Sequence, residues 1–278
     1  MQLTRRSFAG LISMAAGSLV IPGYAAEPLN DPTDILHALI KLRGTLDERL
    51  VMWWMKGMRY GVVDDRIKPL FGMKTGGFQL YKELADGRHA MTMLELSFFT
   101  DPETDRLLEQ FKNPYSGKLV DIPEQRLGPY TVYHTTSGVE IPRDPSFGEF
   151  QLRTQLRPAV VQSDDVWIRE DSFVYVDSDH PMMGKHTYNE FVTYHGSLHD
   201  IRNPDLDSAP ATVTYQSVTS WRKWMGAEGV GGHTTARAAG RKCFSLDEFP
   251  DDYLELLVER YPKIAKDPRA AVANNIAW

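Results

Sequence analysis

One cysteine, Cys243, in a chain of 278 residues leaves no partner for an internal disulfide and no set of thiolates for a zinc or iron–sulfur centre. Long apolar runs are missing too. None reaches the roughly 18 to 20 residues that span a bilayer, so no permanent membrane span is expected. Basic clusters are absent, and 31 Lys and Arg against 37 Asp and Glu give a net charge of −6, which argues against a nucleic-acid partner. The glycines of "GVGGH" (229–233) follow no strand-to-helix unit and make no phosphate loop, and no Gly-x-Ser-x-Gly elbow occurs. His180 and His186 lie near Asp177 and Asp179 without a spacing that aims all four at one ion. No metal and no cofactor are therefore expected.

What the N-terminus does have is "MQLTRRSFAGLISMAAGSLVIPGYAAEP", with Arg5-Arg6, Ser7-Phe8 and the apolar stretch Leu11 to Ile21. That order matches a twin-arginine signal, and Gly23 and Ala25 supply the small residues a signal peptidase needs. Residues 1–25 are expected to be removed, with the twin-arginine export machinery as partner and the periplasm as destination. Cleavage takes away two arginines and no acid, so the charge moves from −6 to −8 over the remaining 253 residues. No linker, charge block or low-complexity tract divides residues 26–278, which are read as one domain.

Strand signals fill the middle of that domain. "RLVMWWMKGMRYGVV" and "GFQLYKEL" lead to Asp86-Gly87, a strong hairpin signal, and "RHAMTMLELSFF" returns. "RLLEQFK" and "LVDI" follow across the turns "DPETD" and "NPYSGK", and "GEFQLRTQL", "DVWIREDSFVYVD", "YNEFVTYHGSLHDI" and "ATVTYQSVTSW" continue the series. The fold class expected is mainly β: an antiparallel β-barrel of about 8–10 strands, calycin- or lipocalin-like, with short terminal helices. Asn30 to Leu42 reads as one helix. "SLDEFPDDYLELLVERYP" reads as another, with Ser245 and Glu248 in capping-box spacing, packed on the sheet or plugging one barrel end.

The segments "DPETDRLLEQFKNPYSGKLVDI" and "SWRKWMGAEGVGGHTTARAAGRK" resemble those of the family labelled domain of unknown function 1838, and the resemblance covers about residues 40 to 262. Phe111 stands where the family commonly carries Trp. The resemblance implies a β-barrel-like fold and supplies no reaction.

Residues near the two barrel ends supply the candidate site. Trp53, Trp54 and Tyr60 come from the first strand, and Trp221, Trp224, His233 and Arg237 from the C-terminal part; these are the ligand-binding candidates. Closure makes the first and last strands neighbours, which is expected to bring Trp54 towards Trp224. Tyr194, His195 and Arg222 are the catalytic candidates: Tyr or His to move a proton, Arg to hold a carboxylate or enolate. Alternation puts Tyr194 and His195 on opposite faces, and two options stand, with either Tyr194 or His195 facing inward. The function expected is an exported barrel binding an apolar or aromatic small molecule, with a cofactor-independent isomerase, lyase or hydrolase as its enzyme form. A non-catalytic carrier and a structural envelope protein with a filled barrel are the alternatives.

Overall fold

The computed structural model describes residues 29–142, 149–177 and 185–274. The twin-arginine segment, the expected cleavage after Ala25, Asp179 and His180 lie outside them. Helix α1 (Pro32–Arg43) precedes strands β1 (Val51–Val63), β2 (Arg66–Glu83), β3 (His89–Thr100), β4 (Gln110–Lys112), β5 (Leu119–Asp121), β6 (Arg126–Thr135) and β7 (Gly138–Glu140). Next come β8 (Glu149–Leu156), β9 (Val160–Gln162), β10 (Asp165–Asp177), β11 (His186–Ser197), helix α2 (Leu198–Arg202), β12 (Thr212–Thr219) and β13 (His233–Cys243). Helices α3 (Asp251–Arg260), α4 (Pro262–Lys266) and α5 (Pro268–Ala273) follow.

Ten strands form one antiparallel path, β7-β6-β3-β2-β1-β13-β12-β11-β10-β8, with β9 pairing β10 beside it. The mainly β, barrel-like architecture expected from the alternating strand signals is thus present, and β1 and β13 are neighbours. The two ends of the path nearly meet. Thr154 on β8 bridges the gap, its Oγ1 accepting from the Val139 backbone N–H at 2.5 Å and donating to the Val139 carbonyl at 3.1 Å. The "RLLEQFK" and "LVDI" segments depart from the expected meander: β4 and β5 pair only with each other and form a separate hairpin.

Two plugs and a cover follow from the alternation of faces. Inward residues at one end, among them Trp53, Tyr194, Ile168, Tyr81 and Met91, pack against Leu36, Leu39, Ile40 and Leu42 of α1. Asp31 caps that helix and Pro32 occupies its first turn, while its apolar residues recur at helical intervals. The other end is filled by Phe71 and Phe99 under Phe111, Trp224 and Met225. Outward residues of β1 to β3, such as Met52, Phe78 and Leu96, lie beneath Phe249, Tyr253 and Leu257 from the C-terminal segment. The Ser245–Glu248 capping box forms as expected, but on a short 3-10 turn ahead of α3.

Lys242 fixes the α1 plug. Its Nζ donates to the carbonyls of Lys41 and Gly44, at 2.7 and 3.1 Å, and to Ser208 Oγ at 2.8 Å. Burial lowers the amine to about 6, yet three donated bonds use all three N–H groups of an ammonium and complement the negative end of the helix. Lys242→Met is expected to remove these bonds and cost about 3 kcal/mol of unfolding free energy, read by denaturant titration, with faster amide exchange in residues 32–43. Unchanged exchange there would show that the apolar face alone seats the helix.

Candidate functional site

Between the plugs the inward positions turn polar. Along β11 the inward side chains are Tyr188, Glu190, Val192 and Tyr194; β12 supplies Tyr215, Ser217 and Thr219 opposite them. Glu190 accepts from the Tyr188 hydroxyl at 2.5 Å, and the Tyr188 and Tyr215 hydroxyls are 2.6 Å apart. Burial is the main cause that pushes the Glu190 carboxyl up to about 7; nearby Glu170 and Glu95 add to it, and the Tyr188 hydrogen bond and Arg43 oppose it. A carboxyl that changes charge near neutrality, joined to one phenol and through it to a second, can accept a proton and return it. Ser217 is the register partner of Glu190, and its Oγ is buried without a hydrogen bond although it lies close enough to influence the Tyr215 hydroxyl.

These residues keep part of their surface accessible. Glu95, Tyr130, Tyr188, Glu190 and Tyr215 point inward and are deep enough for burial to dominate their proton affinity, but each is only half-buried. Two surface depressions lie elsewhere, one along α3 and one on the outer face of β8, β10 and β11.

Two guanidinium groups reach this layer. Arg59 is buried, and its Nη1 donates to Thr234 Oγ1 at 3.1 Å and Thr219 Oγ1 at 3.4 Å. The Arg222 guanidinium carbon sits 5.9 Å from the centre of the Tyr188 ring. Burial first, and then the Arg59 charge, lowers the proton affinity of Arg222.

A second polar group lies closer to α1. Arg43 Nη1 donates to Glu170 Oε1 at 2.8 Å, with the Glu170 side chain 5% exposed. His134 Nδ1 is 3.7 Å from Glu170 Oε2, too far for a hydrogen bond, and both ring nitrogens are buried without hydrogen-bond partners among the described residues. Burial and the Arg43 charge hold that imidazole neutral. Removing one member of the Arg43–Glu170 pair would leave the other as an uncompensated buried charge.

The residues singled out by sequence separate. Trp53, Tyr194 and Arg222 belong to the interior: the Trp53 indole N–H donates to the Arg43 carbonyl at 2.8 Å, and its ring meets Tyr194 edge-on at 5.5 Å. Of the two options for the β11 face, Tyr194 is the inward one. His195 points outward, 36% exposed, with Nε2 2.8 Å from Asp165 Oδ1 and its ring stacked on Trp167. Trp54 and Trp224 do not meet, because Trp54 lies on the outer face under the C-terminal helices and Trp224 sits in the Phe71–Phe99–Phe111 plug. Trp221 packs edge-on against Tyr115 at that same end. Tyr60 and His233 are half-buried at the rim, and Arg237, in register with Met58 and Gln216, is exposed. Glu190, Tyr188, Tyr215, Arg59 and Glu95 were not among the candidates. Continuing the Val192–Tyr194 face two residues towards the N-terminus reaches Glu190, and that alternation was the available signal.

Among the described residues no group of three His, Cys, Asp or Glu side chains is placed to hold a metal ion, and no helix is long and apolar enough to cross a membrane. The profile of one family, described as protein of unknown function (DUF1838), matches residues 47–278. No curated protein and no solved structure matches the chain. The match takes in every strand and the C-terminal helices and begins after α1, so Arg43 lies outside it while Arg59, Glu95, Glu190 and Arg222 lie within.

The Glu190 carboxyl generates a pH signature. Its folded value of about 7 stands above the ordinary 4.5, so below pH 4.5 both folded and unfolded chains hold the proton. Between 4.5 and 7 the unfolded chain releases it first, and this contribution to stability falls as pH rises until it is fully lost above 7. Glu190→Gln is expected to lack that fall, so thermal melts should show wild type losing ground to the variant across this window. Parallel melting curves would mean that the carboxyl ionises normally.

Proposed function

The chain belongs to the DUF1838 family, whose description assigns no reaction, and we propose that its barrel interior binds a small molecule with an apolar or aromatic body and moves a proton on it. The observation that carries this reading is Glu190: a carboxyl deep in a barrel, poised near neutrality, accepting from the Tyr188 hydroxyl at 2.5 Å, which in turn lies 2.6 Å from the Tyr215 hydroxyl. Proton transfer by a positioned carboxyl needs no cofactor. Cofactor-independent isomerisation, elimination or hydrolysis are the reaction classes that fit, with Glu190 as base and acid, Tyr188 and Tyr215 relaying or stabilising, and Arg222 supporting negative charge that develops on an oxygen. Tyr194 and Trp53 belong to the wall nearer α1.

A filled structural barrel fits these residues less well. Packed barrels satisfy their buried polar atoms, whereas Ser217 Oγ and both nitrogens of His134 have no hydrogen-bond partner among the described residues, and the Glu190 layer retains accessible surface. A carrier would use the same interior without turnover. Under the same proposal the protein works in the periplasm after twin-arginine export and removal of residues 1–25, which rests on the Arg5-Arg6 motif.

Small molecules extracted from protein purified out of the periplasm of its native host, identified by mass spectrometry, should include a flat organic compound with an acidic carbon-bound hydrogen or a hydrolysable bond. Incubated with that compound in deuterium oxide, wild type should incorporate deuterium or form product, and Glu190→Gln should do so at least 100-fold more slowly, the lower range for losing a general base, with binding retained. Binding without exchange or turnover in wild type would make the protein a carrier. Equal rates in both proteins would remove Glu190 from the chemistry. For export, replacing Arg5 and Arg6 by Lys should leave precursor in the cytoplasm; undiminished periplasmic protein would count against the twin-arginine route.

A further inference from the structure

One interior guanidinium group of this barrel is answered by an acid. Arg43 has Glu170 at 2.8 Å, with 12% of the arginine side chain exposed. Arg59 and Arg222 break that pattern. Arg59 spends one nitrogen on two neutral hydroxyls, Thr219 and Thr234, and has no carboxylate within ion-pair distance among the described residues. Arg222 points into the same layer, leans over the Tyr188 ring at 5.9 Å, and its side chain makes no hydrogen bond or ion pair among the described residues. The two cations are close enough to repel one another. Glu95, the acid that faces Arg222, interacts with it across the interior without pairing, and accepts instead from Ser97 at 3.2 Å. Keeping two charged forks together in a low-dielectric interior is costly unless an anion joins them.

We infer that Arg59 and Arg222 form the receptor for the carboxylate of a small aromatic acid, which places the proposed substrate of the barrel among arylcarboxylates and related planar organic monoanions. A planar carboxylate matches the guanidinium fork, which can present two parallel N–H donors to its two oxygens. Tyr188, Tyr215 and Tyr130 offer ring faces and edges for the body attached to it. A phosphate dianion suits the site less, since Glu190 and Glu95 stand on the same layer and would repel the second charge. The hydroxyls of Thr219 and Thr234, already turned to Arg59 and 2.7 Å from each other, orient that guanidinium. This inference rests on the reading of the interior as a small-molecule site and adds what that molecule must carry.

Titration calorimetry of the full chain with benzoate and 2-naphthoate, each beside its uncharged amide, tests it. In wild type at least one acid is expected to bind at least tenfold more tightly than its amide. Arg222→Met should abolish that preference by weakening the acid far more than the amide, and Arg222→Lys, which keeps the charge without the fork, should give an intermediate preference. Circular dichroism establishes that each variant is folded, and if Arg222→Met is not, Arg222→Lys and Arg59→Lys decide the matter by the same ratio. Equal binding of acid and amide by wild type, or a preference untouched in the folded variants, would overturn the carboxylate receptor and leave the interior binding site standing. Displacement of the acids by equimolar inorganic phosphate would overturn it too, in favour of a site for any small anion. Failure of all four probes to bind would sink this inference, and the small-molecule reading falls with it if no compound co-purifies either.

Discussion

Charge inside a nearly closed sheet is the constraint around which this molecule is organised. Strand alternation sends every second side chain inward, and at Arg59, Glu95, Glu170 and Glu190 the inward residue is ionisable. In a low-dielectric interior each such group must be paired, neutralised or left for a ligand. All three outcomes occur within one barrel. Glu170 is paired with Arg43, Glu190 holds its proton to near neutrality, and Arg222 has no acid at ion-pair distance among the described residues.

The surrounding fold keeps that interior in place. Helix α1 closes one end and carries Arg43 at its C-terminus, so the element that seals the barrel also delivers the counter-charge for Glu170. Lys242 on β13 grips the end of the same helix through the carbonyls of Lys41 and the capping Gly44, and through Ser208. At the opposite end the ring stack of Phe71 and Phe99, 4.3 Å apart, carries Trp224 and the β4–β5 hairpin. Helices α3 to α5 cover the outer face of β1 to β3 and make no use of the interior. Positioning and chemistry are thereby assigned to different residues, which is why losses of binding and of stability can be told apart.

Much of the fold was legible because period-two alternation and turn residues are local signals. Asp86-Gly87 marks the β2–β3 hairpin, and Asp31-Pro32 marks the start of α1. Strand β6 was missed because its Gly128-Pro129 pair reads as a breaker, and β13 because "HTTARAAGRKC" has little strand propensity of its own. Its small residues are needed by packing: a side chain on Gly240 would strike the Trp54 carbonyl at 2.0 Å. The site was harder to read. Which face of β11 looks inward is a long-range property, set by what α1 and β12 place against it, and His195 drew attention by its chemistry although it is an outward residue paired with Asp165. Trp54 was assigned to the cavity through the pairing of the first strand with the last, and β1 and β13 do pair; its odd or even place on β1, decided by packing under α3, put it outside.

A site of this kind depends on a carboxyl that holds its proton near pH 7. The most direct measurement is a carbon-13 titration of the full chain with labelled glutamate, using Glu190→Gln to assign the resonance. The account predicts a Glu190 midpoint at about 7, moving upward when an arylcarboxylate occupies the interior and adds negative charge nearby. A midpoint in the ordinary carboxylate range near 4.5, unmoved by any such acid, would contradict it.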